Sequence, residues 1–136
     1  MAVIIGADGR PYTDGKLIGE DAQGNPLVVD KLFLIDSGAQ ISAIDENISR
    51  LFKKRPLAMV SASGAGGEVL NVYEGVTMQF PRITADGSGE EEVSCHLPFT
   101  LVQRFYCILG VDQLGATKTR LTFSPAKGMG ELRADP

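Results

Sequence analysis

Residues 32–44 read LFLIDSGAQISAI: four bulky apolar residues run straight into Asp36-Ser37-Gly38, and the apolar pattern then resumes at Ile41 and Ile44. An ionised carboxylate at the end of a buried strand is costly unless something pairs with it. Such a position is either a turn cap at the surface or a site that uses the carboxylate. The run Leu32–Ile35 delivers Asp36 to its end, and Gly38 gives the backbone freedom to reverse sharply. Ala39 leaves room for a close neighbour, and Ser37 can bond nearby backbone and stiffen the turn. Together these residues hold one carboxylate at a fixed place on a stiff β scaffold.

Outward from this stretch, sixteen glycines and seven prolines punctuate short apolar runs, the pattern of a mostly β protein. Turn signals fall at Asp8-Gly9, Asp14-Gly15, Gly24-Asn25-Pro26, 64–67, 86–89 and Pro125. Strands are predicted at Lys16–Asp21, Leu27–Ile35, Gln40–Ile44, Leu57–Ala62, Glu68–Tyr73, Val76–Phe80, Glu92–Val102, Cys107–Leu109 and Arg120–Phe123. Gln23-Gly24-Asn25 joins the first two as a hairpin near the N-terminus. One stretch follows a helical period: Ile44, Ile48, Leu51 and Phe52 form a stripe over Asp45–Arg55, with Asp45 as N-cap and Pro56 as terminator. A single helical turn is expected at Asp112–Leu114. The acidic, glycine-rich stretch Ala85–Glu92 reads as a surface hairpin or loop, and the residues after Pro125 as a polar tail.

A chain of 136 residues, 43% hydrophobic and 22% charged, fits one globular domain with a modest core. The net charge of −4 argues against nucleic acid, because gripping phosphates needs a clustered basic surface. The one basic cluster, Lys53-Lys54-Arg55, is expected to be a solvated helix end. No segment reaches the roughly 20 apolar residues that span a bilayer, so no membrane contact is expected. The start, MAVIIGADGR, carries no basic leader and too short an apolar run for a secretory signal. Cys95 and Cys107 lack CxxC spacing and lie in strand-like runs, so reduced thiols in a cytoplasmic protein are expected. A metal or Cys-His site would rest on the sole histidine, His96, and Cys95 alternates away from it; no metal or other cofactor is expected.

Leu34-Ile35-Asp36-Ser37-Gly38-Ala39, followed by Ser42 and Ile44, resembles the active-site loop of the retropepsin-like aspartic proteases. Two further segments come in that family's order. Ser63-Gly64-Ala65-Gly66-Gly67 lies between strand-like runs, where the family carries its flap. Cys107-Ile108-Leu109-Gly110-Val111-Asp112-Gln113-Leu114 resembles its signature of two apolar residues, Gly, a variable residue, Asp or Asn, a variable residue and Leu. The matched segments lie within residues 27–123. Val111 and Gln40 depart from the Arg and Asp that viral members often pair near the dimer interface.

The resemblance implies a closed acid-protease β-barrel with one or two short helices, acting on polypeptides. Asp36 is the implied catalytic residue, Ser37, Gly38 and Ala39 its loop, and Gln40, Ala65, Gly66 and Gly67 the contacts to substrate. Ser42, Gly110 and Asp112 are the implied structural support, with the Asp112 carboxylate accepting from Ser42 or backbone near it. The chemistry needs two carboxylates, and a chain with one Asp-Ser-Gly supplies one; a homodimer follows. Two other classes fit the same residues: a silent module that keeps the fold for binding or dimerisation, and a small ligand-binding barrel.

Overall fold

A computed structural model of the chain describes residues 3–61, 69–124 and 129–136. Strand makes up 54% and helix 9%, so the chain is mostly β with two short helices, as its turn spacing implies. In chain order the strands are β1 (Ile4–Ile5), β2 (Pro11–Glu20), β3 (Pro26–Ile35), β4 (Ala43–Asp45), β5 (Arg55–Ser61), β6 (Val69–Glu74), β7 (Thr77–Ile83), β8 (Glu90–Cys95), β9 (Thr100–Val102), β10 (Cys107–Leu109), β11 (Thr119–Ser124) and β12 (Met129–Ala134). Helix α1 (Glu46–Ser49) follows β4, and α2 (Val111–Ala116) follows β10. No helix among the described residues is long and apolar enough to cross a membrane.

The main sheet runs β11-β12-β7-β2-β3-β10-β4-β9, with β1 on β2 and β8 on β7, while β5 and β6 form a separate pair. The long β2–β3 hairpin is in register from Tyr12–Leu34 to Glu20–Pro26. At its tip the Asp21 carboxylate accepts from the Gln23 and Asn25 N–H groups, each at 2.9 Å. Gly24 turns there at φ 84°, a conformation that favours glycine. Alternation along β3 sends Phe33 and Ile35 into the main core with Leu17, Phe80, Phe99 and Leu109. Leu32 and Leu34 go to the other face, into a smaller cluster with Tyr12, Tyr106 and Ile108.

Several elements differ from the sequence expectation, each for a tertiary reason. Asp14-Gly15 is no turn but lies inside β2, where a Cβ on Gly15 would sit 2.4 Å from the Phe33 ring. Helix α1 stops at Ser49 instead of running to Arg55. Asp45 does cap it, accepting from Asn47 N at 3.2 Å. The end is then tightened by i−3 bonds from Leu51 N and Phe52 N, Phe52 is buried, and Lys53 N bonds Glu20 O at 2.7 Å. A four-residue apolar stripe is too short to outweigh those ties. Lys53-Lys54-Arg55 is therefore the entry to β5, with Arg55 paired to Glu74 and Lys54 Nζ donating to Ser49 O at 3.3 Å.

The expected strand Glu92–Val102 is two strands, because Leu97-Pro98 interrupts it and proline cannot donate to a ladder. β8 then pairs with β7, and β9 runs parallel to β4. The expected strand Gln40–Ile44 begins only at Ala43, since the residues before it belong to the Asp36 loop. The polar tail holds β12, paired with β11 from Thr119–Ala134 to Ser124–Met129 and touching β7 at Arg133–Ile83. Among the described side chains of that strand Leu132 and Ala134 are buried, too few apolar residues for the sequence to read as a strand.

Candidate active site

Asp36 follows β3, and its position is fixed by an unusual arrangement of neighbours. Strand β10 lies between β3 and β4, parallel to the first (Leu109–Ile35) and antiparallel to the second (Ile108–Ala43). The segment joining β3 to β4 must therefore cross over the end of β10. Asp36 N donates to Leu109 O at 3.0 Å, extending the ladder by one bond, and Val111 N donates to Ala39 O at 2.9 Å. At the crossing, a Cβ on Gly110 would stand 2.5 Å from Ala39 O, so the close approach requires glycine there.

Behind the loop lies a small polar network. Ser42 is fully buried, and its Oγ donates to Asp112 Oδ1 at 2.6 Å while accepting from Gly110 N at 2.9 Å. Its backbone N donates to Asp112 Oδ2 at 3.0 Å, and its carbonyl accepts from Thr100 N at 3.0 Å. Asp112 Oδ1 also accepts from Gln113 N at 2.8 Å. Every polar group of Ser42 is thus satisfied, and a satisfied buried network holds its members in one arrangement. The contact expected between Asp112 and Ser42 is present, made twice over.

The loop stiffens itself differently from the sequence reading. Gly38 does not adopt positive φ. Its N–H donates to Asp36 Oδ1 at 2.9 Å, and a Cβ there would come within 3.2 Å of the same oxygen. Glycine serves close approach, and the Asp36 carboxylate, together with the Ala39 N bond to Asp36 O at 3.1 Å, makes the turn. Ser37 is exposed and bonds to no described residue, so it is not the stiffening group. Asp36 itself is half-buried, and Gln40 lies exposed on the same loop. The structure thus brings together Asp36, Ser37, Gly38, Ala39, Ser42, Gly110 and Asp112, whereas Ala65, Gly66 and Gly67 lie outside the described residues.

Sequence reasoning passed over a second group of residues on this face. Leu34 is in register with Tyr12 on one side and Ile108 on the other, and the alternation that carries Leu32 and Leu34 continues onto Asp36. Tyr12 and Tyr106 meet edge to face at 5.8 Å, and Phe105, 70% exposed, stacks edge-on against Tyr106 at 4.8 Å. The Arg10 guanidinium stands 5.9 Å from the Tyr106 ring centre, with Nη1 3.4 Å from its hydroxyl. Asp8 accepts from Tyr12 Oη at 2.8 Å and Arg10 N at 3.0 Å. The Tyr12 hydroxyl, and then that N–H, hold the Asp8 carboxyl below its ordinary range. The sequence signal was the aromatic pair Phe105-Tyr106 beside a lone Arg10 near Tyr12, which only strand register brings together.

Comparison of the chain with protein-family models and with curated proteins gave no match.

Proposed function

We propose that the chain is an aspartic endopeptidase of retropepsin-like closed-barrel fold, active as a homodimer with a water held between two Asp36 carboxylates. The observation that carries this reading is the Asp36 loop crossing the end of β10 and braced from behind by Ser42, Gly110 and Asp112. That bracing leaves a carboxylate fixed in position but still half-exposed. One Asp36 acts as general base on the water, while its protonated partner polarises the scissile carbonyl and then assists the leaving amine. With one Asp-Ser-Gly per chain, the second carboxylate comes from another copy across a two-fold axis. The exposed Ser37 hydroxyl bonds across to the partner loop. Gly38, Gln40, Ala65, Gly66 and Gly67 contact the substrate. Substrate binds extended, with side chains read on alternate sides.

The test is digestion of a broad peptide library with and without a statine-type inhibitor, alongside sedimentation equilibrium. Inhibitor-sensitive cleavage by a dimer is expected. A monomer that cleaves would overturn the shared dyad. A dimer that leaves the library intact would make the chain a silent binding module.

A further inference from the structure

The face that carries Asp36 also carries an apolar ledge with a cation at its edge. The ledge is Phe105, 70% exposed, standing over the buried cluster of Leu34, Tyr12 and Tyr106 with half-buried Leu32 and Ile108 packed against that cluster. An exposed aromatic stacked on a buried one is the composition of a contact surface, because rigid aromatics give large area at little cost in entropy. Arg10 lies two residues before Tyr12, as Asp36 lies two residues after Leu34. Continuing the register of β2 against β3 therefore brings Arg10 and Asp36 to the same end of the hairpin.

Arg10 forms no salt bridge among the described residues, although the Asp8 carboxylate is near enough for the two charges to act on each other. The oxygens of Asp8 accept from the Tyr12 hydroxyl and the Arg10 backbone N–H, and the guanidinium itself contacts Tyr106, which leaves N–H donors of its fork unused. Resting against that ring, the planar fork is partly pre-organised, and its remaining N–H donors match a carboxylate. The whole chain bears −4, so an acidic ligand would be repelled by most of the surface and drawn to a local cation of this kind.

We propose that the peptide taken by this face carries an acidic side chain next to a bulky apolar one. The apolar group packs on Phe105, and the carboxylate pairs with Arg10. The proposal rests on reading Asp36 as the catalytic residue only in assigning the ledge to substrate.

The test separates the two. Full-length Asp36→Asn, which turns substrate over far more slowly under the proposed mechanism, is titrated by fluorescence anisotropy with two labelled peptide pools. The pools are identical except for Glu or Lys on either side of a central Phe. The Glu pool should bind roughly fivefold more tightly, the scale of a good exposed ion pair. The preference should fade with added salt, vanish in Arg10→Gln and reverse in Arg10→Glu. Phe105→Ala should weaken both pools alike. Equal binding of the pools, or a Glu preference that survives Arg10→Glu, would overturn the proposal. So would failure of both pools to bind together with a dimer that dissociates in Phe105→Ala, since the ledge would then be a self-contact. Wild-type protein that binds the Glu pool selectively but never cleaves it would sink the peptidase reading and leave this one standing. Cleavage of both pools at equal rates would do the reverse.

Discussion

The Asp36 loop and the β5–β6 hairpin are held by very different means. The loop is bonded to Leu109 of β10 and to Val111 at the start of α2, and through Ser42 to Gly110, Asp112 and Thr100. The hairpin forms its own two-stranded sheet, interrupted by a bulge between Pro56 and Met59. Among the described residues β6 joins the rest through the reciprocal Tyr73–Phe99 bonds, at 2.8 and 3.0 Å, and through Thr100 Oγ1 on Asn71 O at 2.9 Å. Local stability follows local bonding, so one region should open only with the whole fold and the other at lower cost. Under the proposed mechanism, Asp36 meets a second carboxylate and needs the first kind of anchoring.

The largest effect should come from breaking the chemistry of the first region and nothing else. Asp36→Asn keeps an oxygen that can accept from Gly38 N, so the loop and the melting temperature should hold. Cleavage should fall by roughly 10²–10⁴-fold, the usual worth of a general acid–base group. Normal cleavage by the purified variant would remove Asp36 from the mechanism.

Next in size is the hairpin's anchor. Phe99 is buried in the main core beside Tyr73, and Phe99→Ala should cost about 3–5 kcal/mol. Native-state hydrogen exchange gives the sharper reading. Amides of β5 and β6 should lose more protection than those of Ser42, Gly110 and Val111. Equal loss in both places would mean that the two regions are one cooperative unit.

Asp112→Ala attacks the brace instead. It removes the acceptor for Ser42 Oγ, Ser42 N and Gln113 N, and a buried donor left without a partner costs about 1–3 kcal/mol. Thermal stability should drop and activity should follow, because the Asp36 loop loses its backing. A wild-type melting curve with abolished activity would make Asp112 a participant in the reaction.

What the sequence makes legible follows the range of the interactions. Asp36-Ser37-Gly38 can be read because a few residue types at fixed spacing do a local job. Cap Asp45 and the hairpin turn at Asp21–Asn25 are local in the same sense. The support from Ser42, Gly110 and Asp112, with Ser42 and Asp112 70 residues apart, is implied only by the family resemblance. The remainder depends on partners far away in the chain. Gly15 looks like a turn until the Phe33 ring is placed against it. β12 has too few apolar residues to announce itself before it pairs with β11 and β7. Helix α1 ends early because Glu20 claims the Lys53 amide. The Arg10, Tyr12 and Tyr106 group is assembled purely by register.

The smallest expected effect probes β10 from inside. Cys107 is fully buried in that strand, and burial pushes its thiol up from 9.0 to about 11, with the Asp45 N–H at 3.4 Å and Lys31 pulling the other way. Below pH 9 folded and unfolded chains both keep the proton, and the contribution to stability is fully present. Between about 9 and 11 the unfolded chain gives up its proton first, so folding loses about 1.4 kcal/mol for each pH unit. Tyr12, raised by its bond to Asp8, acts in the same direction, and a variant at Cys107 separates the two. Cys107→Ala should start less stable, because it leaves a cavity. Its urea midpoint should nevertheless fall less steeply than wild type from pH 8 to pH 10. Exchange measured over the same range should show falling protection at amides that open only with the whole fold, those of β10 and β4 among them, while the β5–β6 hairpin keeps its own pH-independent opening. Parallel slopes for the two proteins would mean that a buried thiol in β10 is not what makes this region the alkali-sensitive one.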